Sequence, residues 1–302
     1  MWGLPPAISV EPTNRCNLKC PECPSGTGKL TRPLGVLSLN DFKDFVDQVY
    51  KKSFYLQLFF QGEPYINKNL PEMTRYARQK NMYVAVSTNG ILLKGKTVEE
   101  MLKNPPDKLI LSVDGLDQAT YEIYRQGGRL SDVKENLSEI IKKKRELNLK
   151  KPYIELQFIV MKQNEHQIED VINFGRKEGC DKVVLKTMQV GSYENALMFL
   201  PENQKYSRYS LADGELKIKN KLKNHCFALW RSSVVTWDGK VAPCCFDKDA
   251  KYETGSLLKN KFNDIWKGKK YNDFRQAVLN NRQSINICRN CTEGLKINIG
   301  DY

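Results

Sequence analysis

The sequence predicts an α/β fold in which parallel strands alternate with helices that pack outside them. Over the first two thirds of the chain, six short apolar runs alternate with segments that have helical periodicity. Serial strand–helix units are typical of parallel strands, because each helix returns the chain to the same end of the sheet. From about residue 224 the chain becomes cysteine-rich and its runs shorten. A second, smaller α+β region is therefore expected.

The elements follow from local composition. Each predicted strand is a short run rich in β-branched, aromatic or other apolar residues, and the strands cover residues 7–10, 55–60, 83–87, 108–112, 153–160 and 182–187. The helices between them cover residues 39–50, 70–80, 98–103, 130–147 and 166–177. A β-hairpin with its turn at Asp238 and Gly239 is expected next, followed by a helix from about 261 to 279. The predicted division is 1–190 for the strand–helix units, 191–223 for a connection and 224–302 for the small region.

Composition excludes several classes of protein. The 302 residues can bury a full core, and no apolar run approaches the length of a membrane span. The N-terminus lacks the basic start and apolar stretch of a signal peptide. Nine cysteines without export indicate metal ligation in a reducing cytoplasm instead of a disulfide framework. The net charge is +13, but no nucleic-acid-binding motif accompanies the basic runs.

Three cysteines near the N-terminus are the most specific feature of the sequence. Cys16, Cys20 and Cys23 stand in the order C-x3-C-x2-C within "EPTNRCNLKCPEC". Three thiolates can hold three corners of a cubane iron–sulfur cluster and leave one iron open for a small molecule. A zinc knot would need a fourth ligand, and neither His166 nor His225 is close in sequence.

This spacing resembles that of the radical S-adenosylmethionine (SAM) superfamily. The resemblance implies a partial (β/α)6 barrel, a 4Fe-4S cluster on the three cysteines, and SAM chelated to the open iron. It also implies reductive cleavage of SAM to a 5′-deoxyadenosyl radical, which abstracts a hydrogen atom from substrate. The cofactor would carry the chemistry and the protein would position it. Site residues should lie at the C-terminal ends of the strands.

Motifs at three predicted strand ends resemble the SAM-binding elements of this superfamily. "FQGEP" resembles its G-G-E element and implies that Gly62 and Glu63 serve the methionyl amino group. "STNG" implies ribose contacts, and "SVDG" contacts to the ribose or the carboxylate. Arg125 matches an arginine that meets the SAM carboxylate, although a plain surface role is the alternative. The expected cofactor-binding set is Gly62, Glu63, Ser87, Asn89, Ser112, Asp114 and Arg125. One departure is Glu22, which stands where relatives commonly carry an aromatic residue.

A second cysteine group resembles the C-terminal auxiliary-cluster domain called SPASM in its long form and twitch in its short form. The resemblance implies a small α+β domain, a hairpin plus a helix, with an auxiliary 4Fe-4S cluster on Cys226, Cys244, Cys288 and Cys291. Zinc is the alternative occupant. Cys245 is left over; it is a packing residue, an alternative ligand in place of Cys244, or a catalytic hydrogen donor, as in radical epimerases. Asp247 is a possible counterpart of a carboxylate base found in a sulfatase-maturing relative.

The resemblance implies an enzyme, most simply an oxidoreductase that dehydrogenates a small polar substrate and passes an electron to the auxiliary cluster. In that interpretation Arg125 and Cys245 are the candidate catalytic residues. The candidates for the substrate pocket are Lys186, Gln189 and the aromatic or basic residues in 192–209. The alternatives are a peptide or protein maturase, an epimerase that uses Cys245, and a non-catalytic iron–sulfur electron-transfer scaffold. Because the chain is basic, an acidic electron donor such as flavodoxin or ferredoxin is the expected partner.

Overall fold

The computed structural model describes residues 3–212, 214–293, 295 and 299–302. The strands are β1 (Ala7–Val10), β2 (Tyr55–Gln57), β3 (Tyr83–Thr88), β4 (Lys108–Ser112), β5 (Tyr153–Val160), β6 (Lys182–Thr187), β7 (Tyr209–Ala212), β8 (Glu215–Ile218), β9 (Ser232–Val235), β10 (Lys240–Ala242) and β11 (Gly255–Ser256). The helices are α1 (Leu39–Val49), α2 (Leu70–Gln79), α3 (Lys96–Lys103), α4 (Gln118–Tyr124), α5 (Leu130–Glu146), α6 (Ile168–Glu178), α7 (Tyr193–Phe199), α8 (Ala228–Arg231), α9 (Phe262–Lys267), α10 (Lys269–Asn281) and α11 (Asn286–Arg289).

Six parallel strands, β1 to β6 in chain order, form most of a nine-stranded sheet. The middle strands are buried on both faces, as the consecutive buried residues Leu109, Ile110 and Leu111 of β4 show. Helices cover the sheet through apolar stripes; α1, for example, buries Phe42, Phe45 and Val46 and is capped at its start by Ser38. The predicted α/β class and the parallel arrangement are therefore confirmed.

The C-terminal hairpin is part of the same sheet. Strands β9 and β10 pair antiparallel, and Gly239 has a φ of +77° at the predicted turn. Strand β9 also pairs in parallel with β1, so that Ala7 lies opposite Ser232 and Val10 opposite Val235. The hairpin thus extends the sheet beyond β1 instead of forming a sheet of its own.

The last two residues of the chain cover the opposite edge of the sheet. The N–H of Val183 in β6 donates to the carbonyl of Tyr302 at 2.7 Å, and the N–H of Tyr302 donates back at 2.8 Å. Lys182 and Asp301 form an ion pair at 2.8 Å beside this bridge. Residues from the C-terminal part of the chain therefore lie along both edges of the six-stranded unit.

Three helical features differ from the sequence prediction. The helix predicted over 261–279 is broken at Gly268, where an added Cβ would lie 2.7 Å from the Asp264 carbonyl oxygen. Helix α4, which ends at Arg125, was not predicted. The predicted connection 191–223 contains α7 and the small β7–β8 sheet. Within the described ranges, no helix is long and apolar enough to cross a membrane.

Candidate functional site

The first cysteine group lies in the loop that follows β1. Cys20 is buried, Cys16 and Cys23 are half-buried, and all three belong to one apolar cluster. The loop turns tightly, since the Cys23 N–H donates to the Cys20 carbonyl at 3.1 Å. Gly26 lies against this turn, and a Cβ there would be 2.6 Å from the Cys20 nitrogen. The backbone therefore presents the three thiols from a single compact loop.

Gly62 and Glu63 fasten this loop to the end of β2. Gly62 has a φ of +77°, and an added Cβ would lie 2.5 Å from the Arg15 carbonyl oxygen. The Glu63 N–H donates to the same oxygen at 2.8 Å. Only glycine meets both conditions, the left-handed backbone and the close approach. The predicted G-G-E-like element thus contacts the cysteine loop directly.

The Glu63 carboxylate is buried and joins two strand ends. It accepts hydrogen bonds from the Thr88 hydroxyl at 2.7 Å, the Asn89 N–H at 2.8 Å and the Tyr65 N–H at 3.1 Å. Burial raises the pKa of Glu63, while these three donors act in the opposite direction. The Asn89 side chain in turn donates to the side-chain Oδ1 of Asn17 at 2.9 Å. Both polar side chains therefore position the cysteine loop from within the protein.

Arg125 and Asp114 form a buried ion pair beside the loop. The Arg125 Nε donates to the Asp114 carboxylate at 2.6 Å, and the Ile159 N–H donates to the other carboxylate oxygen at 2.7 Å. Burial acts to lower the pKa of Arg125, but Asp114 and then Cys20 outweigh burial and hold that pKa above its ordinary value. Burial raises the pKa of Cys20, and Arg125 opposes this. Arg125 is thus a fixed positive charge next to one predicted cluster ligand.

The two predicted serines lie at neighbouring strand ends. Ser87 is half-buried near the end of β3, and Ser112 is the buried last residue of β4. In the described part of the chain, neither hydroxyl makes a side-chain hydrogen bond, whereas Asp114, Glu63 and Asn89 are each engaged as above. The serines accordingly suit a ligand with hydroxyl groups, such as a ribose, at this edge of the sheet.

Glu22 has a structural contact that sequence reasoning missed. Its carboxylate accepts the Gly191 N–H at 2.9 Å and also contacts the Asn195 amide. These partners follow β6 and lie at the start of α7. The residue before the third cysteine therefore links the loop after β1 to the loop after β6. No local signal could have indicated partners so far away in sequence.

The second cysteine group gathers in the C-terminal region. Cys226, Cys244 and Cys288 share one apolar cluster with Phe274 and Val278. Cys291 is buried and accepts hydrogen bonds from the Arg282 guanidinium and from the Glu293 N–H, each at 3.3 Å. Burial raises the pKa of Cys288 to about 11, with Arg282 acting in the opposite direction. The four predicted ligands are thus brought to one place.

Arg282 makes this place suitable for a negatively charged group. The side chain is buried, and another of its N–H groups donates to the His225 carbonyl at 2.9 Å. Its Nε has no hydrogen-bond partner in the described chain, and a buried unsatisfied donor is costly. A thiolate-ligated cluster carries negative charge and so fits this environment. Among the described residues, no three His, Cys, Asp or Glu side chains converge as the ligands of a single metal ion.

Cys245 and Asp247 differ in their surroundings. Cys245 is exposed, and its thiol shares a hydrogen bond with Cys244 that lowers the pKa of Cys245. Asp247 is buried and accepts the N–H groups of Lys251 and Tyr252, both at 2.8 Å. The Asp247 carboxylate closes its own loop, which leaves it poorly placed to act as a base.

A cavity of about 310 Å³, called the central cavity below, is lined by residues of both parts of the chain. Cys23 of the first group borders it, and so does Lys248 from the loop after Cys245. Gln157, Lys186 and Gln189 contribute from β5, β6 and the segment after it. The two residues suggested for a substrate pocket therefore line this cavity. Arg208, one of the basic residues in the candidate range 192–209, also lines it, whereas Lys248 was missed although it follows Cys245 by only three residues.

Comparison with protein families gives two matches that agree with this geometry. The radical SAM superfamily model matches residues 10–175, more than half of the chain. A model of the SPASM iron–sulfur cluster-binding domain matches residues 226–292. The first match contains the three-cysteine loop, and the second contains all four cysteines of the other group.

Curated relatives have varied activities. The tungsten-containing aldehyde ferredoxin oxidoreductase cofactor-modifying protein of Pyrococcus furiosus is 25% identical over 303 residues, covering 90% of this chain and 84% of that protein. The PqqA peptide cyclase of Bradyrhizobium diazoefficiens is 26% identical over 188 residues, covering 62% of this chain but only 48% of the cyclase. The chain therefore aligns with less than half of the cyclase.

Solved structures agree on the fold. BtrN in complex with AdoMet and 2-DOIA aligns over 97% of this chain and 95% of its own, with 18% identity and a TM-score of 0.58. SuiB of Streptococcus suis bound to S-adenosylmethionine aligns over 95% of this chain and 72% of its own, with 15% identity and a TM-score of 0.69. The fold, the two family matches and the two cysteine groups imply a 4Fe-4S cluster, SAM and an auxiliary cluster. The chain belongs to the radical SAM superfamily and carries a C-terminal SPASM domain.

Proposed function

We propose that this protein is a radical SAM oxidoreductase that dehydrogenates a small polar substrate bound in the central cavity. When bound, SAM and the 4Fe-4S cluster would supply a 5′-deoxyadenosyl radical that takes one hydrogen atom from the substrate; a base would take the hydroxyl proton, and the remaining electron would pass to the auxiliary cluster. The observation that carries the proposal is the position of the cavity, which touches Cys23 and also the loop that follows Cys244 and Cys245. A substrate there would lie beside one ligand of the first cluster and against the loop that follows Cys244, a ligand of the second.

The residues of the chain have distinct proposed tasks. Cys16, Cys20 and Cys23 would hold the first cluster, and Cys226, Cys244, Cys288 and Cys291 the auxiliary one. Ser87 and Ser112 would contact SAM at the ends of β3 and β4. Arg125, already held by Asp114, would balance charge beside Cys20 and present its remaining donors to a carboxylate. Gly62, Glu63 and Asn89 would act mainly by fixing the loop.

The cavity itself favours a compact polar ligand. Its volume is about 310 Å³, at the small end of ligand sites, and its wall includes three glutamines, Gln61, Gln157 and Gln189. The link between Glu22 and Gly191 helps to close the wall between the loops after β1 and β6. A closed wall would limit the access of water to reactive species.

A second candidate is modification of a peptide. It is favoured by the similarity to the PqqA peptide cyclase and to SuiB, which has also been solved with its precursor peptide SuiA. A peptide would have to enter the same cavity with one side chain. The epimerase alternative is weaker, because Cys245 is exposed and is not among the described residues that line the cavity.

The test uses the protein reconstituted without oxygen. Iron and sulfide are expected at about eight of each per chain, as two cubanes require. Reduction should cleave SAM, and the right substrate should lose two hydrogen atoms. Cys20→Ala should abolish SAM cleavage, whereas Cys180→Ala, which alters a half-buried cysteine outside both groups, should not.

Each result that contradicts the expected dehydrogenation would support one of the alternative functions. Solvent deuterium in an otherwise unchanged product would favour the epimerase, and a modified peptide would favour the maturase. If reduced protein with a full complement of iron never cleaved SAM, the protein would be an electron-transfer scaffold and the proposal would be wrong.

A further inference from the structure

We propose that the central cavity binds an oxyanion of the substrate, most simply a carboxylate, through Lys248, Arg208 and Lys186. The proposal rests on the function above, because it places the substrate in the same cavity. It adds the chemical class of the ligand and the residues that would select it. Two of these residues, Lys248 and Arg208, come from outside the strand–helix units.

The charges that line the cavity are unbalanced. Lys186, Arg208 and Lys248 all border it, and none of them forms an ion pair with a described residue. Two other buried cations do have acidic partners: Arg32 pairs with Glu11, and Arg125 pairs with Asp114. The cavity thus brings together three cations that form no ion pair with a described residue.

Among the described residues that line the cavity, the acidic one is Glu22, and its carboxylate is already engaged in hydrogen bonds. Glu22 accepts hydrogen bonds from Gly191 and Asn195 and forms no ion pair with a described cation. Asp301 borders a neighbouring cavity that Lys186 and Arg208 also line, and it is paired with Lys182 at 2.8 Å. Neither carboxylate forms an ion pair with any of the three cations.

Two of the cations are partly removed from water. Lys248 and Arg208 are half-buried, and burial lowers the pKa of each side chain. A charge that has lost part of its hydration is stabilised by a partner of opposite sign. An anion that enters the cavity would provide that partner to both side chains at once.

Arg208 is held in position by the end of β6. Its Nε donates to the Thr187 hydroxyl at 2.7 Å, and one terminal nitrogen donates to the Thr187 carbonyl at 2.8 Å. The guanidinium plane is thus fixed at the cavity wall before any ligand binds. Such preorganisation favours directed hydrogen bonds to a planar carboxylate.

A carboxylate in this cavity could belong either to the substrate or to the methionyl group of SAM. Lys248 comes from the loop after Cys245 and is near enough to both Cys23 and Cys245 to be affected by their charge, so its own position fits either source. Arg125 is the guanidinium that lies beside Cys20, and Arg125 is therefore the better candidate for SAM. The experiment separates the two sources.

The probe is sodium succinate, with succinamide as its uncharged match. Binding to the reconstituted full-length protein is measured by equilibrium dialysis in the presence of saturating SAM. Succinate should bind saturably and succinamide should not. Lys248→Met and Arg208→Gln should each weaken succinate binding by roughly tenfold, the effect of losing one charge-assisted hydrogen bond. Lys205→Met, at an exposed lysine outside the cavity lining, is the matched control and should leave binding unchanged.

Three outcomes would overturn the proposal: no saturable succinate binding, equal binding by all variants, or competition between succinate and SAM with weaker SAM binding in the variants. The last outcome would assign the cations to the SAM carboxylate. Circular dichroism and iron content of each variant establish folding, and Lys248→Gln replaces Lys248→Met if the latter does not fold. SAM cleavage by the wild-type protein is measured in parallel, so that loss of the proposed function and loss of the anion site are separate results.

Discussion

The two cysteine groups are held in different ways. The first occupies one loop that hydrogen bonds from the ends of β2 and β3 keep in place, through Gly62, Glu63 and Asn89. The second collects cysteines over residues 226–291, from short elements that include the four-residue helices α8 and α11. The comparison teaches that the first site is supported by the sheet, whereas the second depends on its own ligand for order.

Removal of iron should produce the largest difference in stability between the regions around the two cysteine groups. Chelation should abolish amide protection around α8 and α11, because helices of four residues are not stable alone and a structural metal contributes on the order of 10 kcal/mol. Protection in β1 to β4 should persist. Hydrogen exchange with mass spectrometry measures both regions in one sample. Equal loss of protection in the two regions would show that the two cysteine groups depend on their clusters to the same extent.

Arg282→Met should have the next largest effect, and only on the second group. The change removes the donor to Cys291 and to the His225 carbonyl, and breaking such a buried charged network costs about 3–5 kcal/mol. Thermal unfolding and iron content should show a destabilised protein that keeps about half of its iron. Arg289→Met, at an exposed arginine of α11, is the control. If Arg282→Met kept all of its iron, the role of this arginine would be disproved.

Gly62→Ala should damage the first group by about 2–4 kcal/mol, since it combines an unfavourable backbone conformation with a backbone clash. Gly28→Ala is a matched control. Gly28 also has a positive φ, +68°, but an added Cβ there would meet nothing within 4 Å. The control should cost only the conformational part, about 1–2 kcal/mol. Denaturant unfolding of both variants measures the difference, and equal losses would mean that the clash with Arg15 is unimportant.

Glu22→Ala should have the smallest effect, about 1 kcal/mol, because it removes hydrogen bonds at a half-buried position. The change should appear as faster amide exchange at Gly191, while the core strands stay protected. Glu194→Ala, at an exposed residue of α7, should leave that exchange rate unaltered. An unchanged rate in Glu22→Ala would show that the loops after β1 and β6 are independent.

The sequence predicted the strands well because each is a buried apolar run between turn residues. Strands β1, β4, β5 and β6 have the predicted bounds. Helix α4 escaped prediction because its seven residues are too few to show a helical period, and its start depends on the local cap by Asp117. The pairing of β9 with β1 could not be predicted, since pairing between distant segments leaves no periodic signal in either one.

The candidate site was predictable where chemistry is local in sequence. The cysteines, Gly62 and the serines could be found because their motifs are short and stand at strand ends. The roles of Lys248 and Glu22 could not be predicted, because each depends on contacts with residues that the fold brings from far away in sequence. The ligand assignments for Ser87, Ser112 and Asp114 remain predictions, as does the catalytic role of Arg125 and of Cys245.

The pairing of β9 with β1 has a consequence for how this chain can be divided. A fragment cut at residue 223 would expose the backbone N–H and C=O groups of β1 and would also lose the Tyr302 bridge that covers β6. Uncovered strand edges join with those of other molecules, so such a fragment would tend to aggregate. The C-terminal segment therefore also protects the sheet from aggregation. We expect truncations that remove it, or its exchange between relatives, to lower solubility.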